Sequence, residues 1–339
     1  MPALTRFPAL AASRSGDSCP GRSGYNEAMR PPFLLIDTDA GVDDALALML
    51  ALGHPEAEVV GVTAVGGNVP LEHVVPNVFE VLHVMGAEGV PVFPGAHEPL
   101  LPGERVHATE FHGEDGLGNY ERRRARVRPE REAAAVAIAR LAREQPRELT
   151  LVALGPLTNL ALALRLEPEL PRLLRRLVVM GGAHTAHGNT PRWASEFNFY
   201  YDPEAAQMVV QAFEELTLVT WETTLAHPLP WEEHEWLAGL GTSRARFYDA
   251  ITRRTRAFLE GRDAPGLLVP DPLAMLAALD PGLITAEARH RGWVETCGTH
   301  TRGQLVLDHG RSGLEPNARV VTGFDRARVL ERFHHMLAG

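Results

Sequence analysis

Asp37-Thr38-Asp39-Ala40-Gly41-Val42-Asp43-Asp44-Ala45 joins two apolar runs of different period. Before it, Phe33-Leu34-Leu35-Ile36 reads as a buried strand. After it, Ala and Leu recur at helical spacing from Asp43 to Leu52, until Gly53 stops the helix. Four carboxylates thus fall within eight residues at a strand-to-helix junction. Like charges this close repel, and burial raises their pKa values further. A divalent cation removes the conflict, and hard oxygen ligands in this number suit Ca²⁺ or Mg²⁺. Gly41 lets the chain turn so that Asp39 and Asp44 can face one ion. Helix capping by Asp43 and Asp44 accounts for one or two of the acids, not for four.

Working outward, the same alternation continues. Val59–Val65, Val90–Phe93, Leu149–Leu154, Leu177–Met180, Leu216–Thr220 and Val320–Thr322 read as strands. Leu71–Met85, Glu132–Gln145, Thr158–Leu166, Asp202–Ala212, Pro272–Leu279 and Asp325–Leu337 read as helices, and Leu170–Arg176 as an exposed helix. Val- and Leu-rich strands alternating with helices imply an α/β fold. The expectation is one domain with a mostly parallel, doubly wound, Rossmann-like sheet and helices on both faces. In such sheets ligands sit at the carboxyl edge of the strands. The polar residues fall there: Asp37 and Asp39 after the first strand, Asn68 after the second, Gly155-Pro156 and Gly181-Gly182 after later ones, and Asp271 after Leu267–Val269.

Composition closes off several functions. The 339 residues are 45% hydrophobic and 22% charged, which is globular, and the formal charge of -10 argues against a nucleic-acid partner. All 33 basic residues are Arg, so there is no Schiff-base Lys and no Walker A Lys. Two cysteines, Cys19 and Cys297, make no disulfide framework, which fits a reducing, cytoplasmic compartment. No apolar run approaches the roughly 20 residues needed to span a bilayer. Residues 1–28 read as a disordered extension, or as the product of an upstream start codon with Met29 the true beginning; the catalytic domain is expected over 30–339.

Three metal-using architectures begin in this way. An EF-hand requires Glu at the twelfth loop position, which counted from Asp37 is the apolar Leu48. A dehalogenase-like phosphotransferase uses Asp-x-Asp but leaves Gly41-x-Asp43-Asp44 and every later motif without a role. The third is the nucleoside hydrolase family. Asp37–Ala45 resembles its N-terminal signature, with Ala40 in place of the usual Pro. Val65-Gly66-Gly67-Asn68 resembles its second motif, and His112-Gly113-Glu114-Asp115-Gly116-Leu117-Gly118 its flexible active-site loop. Leu154–Leu160 resembles the central strand-to-helix turn. Met180-Gly181-Gly182, Gly188-Asn189, Glu196-Phe197-Asn198 and Asp202–Ala206 resemble the ribose-binding stretch, and Asp271-Pro272 the late metal-ligand motif.

The resemblance implies a Ca²⁺-dependent hydrolysis of ribonucleosides to ribose and free base. The carboxylates of Asp39, Asp44 and Asp271 and the carbonyl of Leu154 would ligate the cation, with the substrate's 2′- and 3′-hydroxyls and one water completing the shell. Asp39 would be the general base for that water. Asp43 and Asn68 would hold ribose hydroxyls, Asn189, Glu196 and Asn198 the 3′/5′ side, and Met180 would pack on the sugar. A small-molecule nucleoside is then the partner, with no membrane, and a homodimer or homotetramer is expected. The chain departs from the pattern at the leaving base. Pro270 stands where inosine- and uridine-acting members commonly have His, and Phe258 falls where they have Tyr. His112 and Arg262 rank first as substitutes, ahead of His184, His187, Trp193, Trp221, His227 and Tyr248. The alternatives are another or modified N-riboside as substrate, or a ribose-binding homologue without leaving-group activation. Asp202 reads as an N-cap for the helix starting at Pro203.

Overall fold

The computed structural model describes residues 33–102, 106–121 and 126–339; the extension read at 1–28 lies outside them. The strands are β1 (Phe33–Thr38), β2 (Glu58–Ala64), β3 (Val92–Pro94), β4 (Leu149–Ala153), β5 (Arg176–Met180), β6 (Leu216–Val219), β7 (Leu229–Pro230), β8 (Gly266–Leu267), β9 (Ile284–Val294), β10 (Leu305–Asp308) and β11 (Ala318–Phe324). The first helices are α1 (Val42–Gly53), α2 (Leu71–Met85), α3 (Thr109–His112), α4 (Ala134–Glu144), α5 (Thr158–Leu166), α6 (Leu170–Leu173) and α7 (Phe197–Tyr201). Then come α8 (Pro203–Ala212), α9 (Trp221–Ala226), α10 (Trp231–Ala238), α11 (Ser243–Glu260), α12 (Pro270–Leu279) and α13 (Arg326–Ala338).

Among the described residues nine strands form one sheet, in the order β10-β9-β11-β6-β5-β4-β1-β2-β3. Every pair from β11 to β3 is parallel, and only β9 and β10 join antiparallel at one edge. Central β1 is covered on both sides: Leu34, Leu35 and Ile36 are all fully buried. Leu34 and Ile36 face a core with α1, α2 and α12, whereas Leu35 faces one with α4, α5 and α8. That is the two-sided burial a parallel central strand requires. Burying each such side chain stabilises by roughly 1.5–3 kcal/mol.

The register places the site. Asp37 pairs with Ala153, and Leu154 N–H donates to the Asp37 carbonyl at 2.8 Å. Thr38 pairs with Ala64, which sets the Gly66-Gly67-Asn68 turn beside the acidic one. α1 and α12 pack together, and both are buried almost throughout.

Three differences from the sequence reading have local causes. Leu170–Arg176 is not one exposed helix: α6 ends at Leu173, Leu170 is fully buried, and Arg176 starts β5. β9 escapes notice because it lies next to the edge strand β10 and exposes Thr285, Ala286, Glu287 and Arg289 without clean alternation. α11 is hidden by its many Arg residues, although Phe247, Tyr248, Ile251, Thr255 and Leu259 keep helical spacing on its buried face. Among the described residues no helix is long and apolar enough to cross a membrane.

Candidate active site

β1 ends in a turn that side chains hold shut. Thr38 Oγ1 accepts from Ala40 N–H (3.0 Å) and donates to Asp44 Oδ1 (2.5 Å). Asp44 Oδ2 accepts from Gly41 N–H (2.8 Å) and from Asn68 Nδ2 (3.1 Å). The left-handed residue here is Ala40, at φ +37°, rather than Gly41, at φ -78°. A Pro at position 40 could not adopt this φ. Gly41 is needed for space: a Cβ there would lie 2.6 Å from His112 Nδ1 and 2.7 Å from Asn68 Nδ2.

The turn delivers Asp43 and Asp44 in the first turn of α1, and α12 delivers Asp271 in its own. The positive ends of two helices therefore converge on one group of acids. Carboxylate oxygens of Asp43, Asp44 and Asp271 all lie within 4.8 Å of one another. Asp39 adjoins them, with Oδ2 accepting from Asn68 N–H at 2.7 Å. Sequence resemblance put Asp39 on the cation and Asp43 on the ribose; the closest trio contains Asp43. Burial, then repulsion from Asp44, pushes the Asp43 carboxyl up to about 8 and those of Asp39 and Asp271 well above the usual range. Among the described residues, Asp39 Oδ1 and Asp43 Oδ1 are buried with no hydrogen-bond partner. Orphaned oxygens in an oxygen-only, acidic pocket match the demands of a hard divalent cation.

On the opposite wall, Asn198 Nδ2 donates to the Leu154 carbonyl (2.6 Å) and lies 3.2 Å from the Met180 carbonyl and 3.4 Å from Met180 Sδ. Glu196 caps α7 and accepts from the backbone N–H of Gly182, Asn198 and Phe199. Burial nevertheless pushes its carboxyl up to about 7. Asn189 lies apart from these buried groups, exposed, with its N–H on the Ser195 carbonyl at 3.3 Å. Asp202 caps α8 as expected and also accepts from Thr158 Oγ1 and Leu100 N–H.

The leaving-group candidates separate clearly. His112 is buried at the end of α3. Its Nδ1 accepts from Val42 N–H at 3.0 Å and lies 3.7 Å from Asp43 Oδ1. That bond assigns the ring proton to Nε2, and burial pushes the imidazolium pKa down to about 3. Arg262 is exposed, its guanidinium 3.6 Å from the Phe258 ring centroid and 3.9 Å from Glu110 Oε2. Phe258 in turn meets Phe111 edge-on at 5.6 Å. His227 uses both ring nitrogens on backbone, at Thr223 O and Phe324 N. Tyr248 is fully buried with its hydroxyl on His234. His184 faces Glu222 at 3.4 Å, Trp193 is exposed, and Pro270 is the first residue of α12.

Two supporting groups carry no role of their own in the sequence reading, although Asp37 stands in the acidic motif. Asp37, fully buried, accepts from Thr63 Oγ1 (2.6 Å) and Asn159 Nδ2 (2.8 Å), and burial holds its carboxyl up at about 7. Asn77 of α2 reaches the acidic turn from behind. A polar residue on the apolar stripe of a predicted helix was the available signal for Asn77.

A sequence model of the family described as inosine-uridine preferring nucleoside hydrolase matches residues 34–331. The chain belongs to the nucleoside hydrolase family. The family's reaction, hydrolysis of the N-glycosyl bond of ribonucleosides, is this chain's activity, and the phosphotransferase reading falls away. A pyrimidine-specific ribonucleoside hydrolase RihA from Citrobacter koseri is 34% identical over 311 residues, 90% of this chain and 97% of the relative. The structure of a plant nucleoside hydrolase, PpNRh1, superposes with a TM-score of 0.85 at 30% identity, covering 91% of this chain and 99% of that one. A purine-preferring ribonucleoside hydrolase from Gardnerella vaginalis gives 0.84 at 30%, covering 90% and 98%.

Proposed function

We propose that residues 30–339 form a calcium-dependent N-ribohydrolase whose cation is held by Asp39, Asp44, Asp271 and the Leu154 carbonyl. The supporting observation is the buried acid group at two converging helix N-termini, with its two partnerless oxygens. Bound calcium would neutralise these acids, gather the ribose diol and make water a better nucleophile.

The chain's own groups do the rest. Asp39 Oδ1 is the base that takes the proton from the water attacking C1′, while Asn68 N–H fixes Oδ2 and so the carboxylate plane. Asp43 and Asn68 hold ribose hydroxyls. The acids stabilise positive charge developing on the ribose ring as the N-glycosidic bond breaks. Asn198 aims the Leu154 carbonyl, Glu196 holds the Gly182 N–H just beyond Met180, and Met180 packs on the sugar. His112 serves as a neutral hydrogen-bond donor through Nε2 rather than as an acid, because Nδ1 is occupied by Val42 N–H. Arg262 stands at the rim beside Phe258.

The enzyme is proposed to work in the cytoplasm as a homodimer or homotetramer; Cys297 is free and exposed, as a reducing compartment permits. The test is a panel of purine and pyrimidine ribonucleosides assayed for released reducing sugar, with light scattering for assembly. Sugar and free base in equal amounts support the proposal. Binding without sugar release would contradict it.

A further inference from the structure

Asn77 is fully buried on α2, and the two hydrogen bonds it donates go to backbone that is assigned to neither substrate nor cation. Its Nδ2 donates in two directions: to the Ala40 carbonyl at 2.9 Å and to the Asp115 carbonyl at 2.9 Å. Ala40 is the left-handed residue between Asp39 and Gly41. Asp115 is the hub of the 106–121 segment, its Oδ1 accepting from Leu117 and Asn119 N–H. One amide thus uses both its protons to tie the strained acidic turn to the segment that carries His112. The fit is close from the other side too. Gly116 sits at φ +85°, and a Cβ there would be 2.6 Å from Asn77 Nδ2 and 3.4 Å from the Ala40 carbonyl. A second link runs in parallel, Val42 N–H to His112 Nδ1.

We infer that Asn77 is a positioning residue for the hydrolysis, a clamp that makes the Asp39–Asp44 turn and the 106–121 segment open and close as one unit. A left-handed Ala is costly by roughly 1–2 kcal/mol and persists only where neighbours fix it. Two donors on a single planar amide fix both carbonyls at once. Leu at 77 matches Asn in size but supplies neither donor, so both carbonyls lose the Asn77 N–H that holds them.

The test is hydrogen exchange on the full chain, with steady-state kinetics on its best ribonucleoside. Asn77→Leu should speed exchange at Gly41 and Val42, and at Gly113 and Gly118, by at least about tenfold and in step. kcat/KM should fall at least about tenfold at a temperature where the variant remains folded. A purely structural Asn77 would lower Tm and leave both readouts at wild-type values, overturning the clamp. So would loosening of one segment without the other. Should Asn77→Leu fail to fold, Gly116→Ala keeps the amide but wedges the segment from it. Joint loosening there supports the clamp, and independent or absent loosening overturns it. The hydrogen-exchange readout needs no metal, so failure of the calcium assignment leaves that arm of the test intact.

Discussion

Asp43→Asn should make the metal-free protein more stable at alkaline pH while weakening its response to calcium. Burial and Asp44 hold the Asp43 carboxyl at about 8, against an ordinary 3.8. A group whose folded pKa is raised contributes stability that is complete below the unfolded pKa and is lost as pH rises through the folded one. For Asp43 that window runs from about pH 4 to about pH 8. One pH unit corresponds to about 1.4 kcal/mol, so the whole window is worth on the order of 5 kcal/mol. At roughly 2 °C of Tm per kcal/mol for a large domain, chelated wild-type protein should lose on the order of 10 °C between these limits. Asn cannot titrate, so the variant's curve should be shallower, with a residual slope from Asp39 and Asp271, which are raised in the same direction. Calcium should raise wild-type Tm at pH 8 by binding the folded state alone, and raise the variant's by less. The assay is scanning calorimetry across pH 4.5–8.5 in chelator and in excess calcium. Superimposable chelated curves for the two proteins would refute the claim that these acids are frustrated in the fold.

Asp39→Ala should abolish sugar release while leaving Tm in chelator at or above the wild-type value; full turnover in the variant removes Asp39 as the base. Gly41→Ala puts a methyl 2.6 Å from His112 Nδ1, so kcat/KM should drop more than about tenfold, against no change if the site is loose there. Arg262→Ala removes an exposed guanidinium from the Phe258 face, with stability held within about 0.5 kcal/mol and KM raised a few-fold; an unchanged KM takes Arg262 out of the site.

The acidic turn was legible because its cause is local: four carboxylates cannot share a strand-to-helix junction without an explanation. The parallel core was legible too, since strands buried on both faces must be apolar throughout. What was hidden depends on partners distant in sequence. Asn77 looks like an interruption of the α2 stripe until Ala40 and Asp115 stand either side of it. The sequence places His112 in a flexible loop, and only the fold reveals that it takes the free N–H at the start of α1. The sequence points to Gly41 for the turn, whereas in the fold Ala40 carries the left-handed backbone and Gly41 supplies room. β9 and α11 carry enough charge on their exposed faces to mask their periods.

Hydrolysis here depends on buried acids holding a cation and a ribose diol together. Reducing-sugar release from the best nucleoside, followed through chelation and re-addition of calcium, tests it most directly. Turnover should vanish in chelator and return with calcium. Undiminished turnover in excess chelator would contradict it.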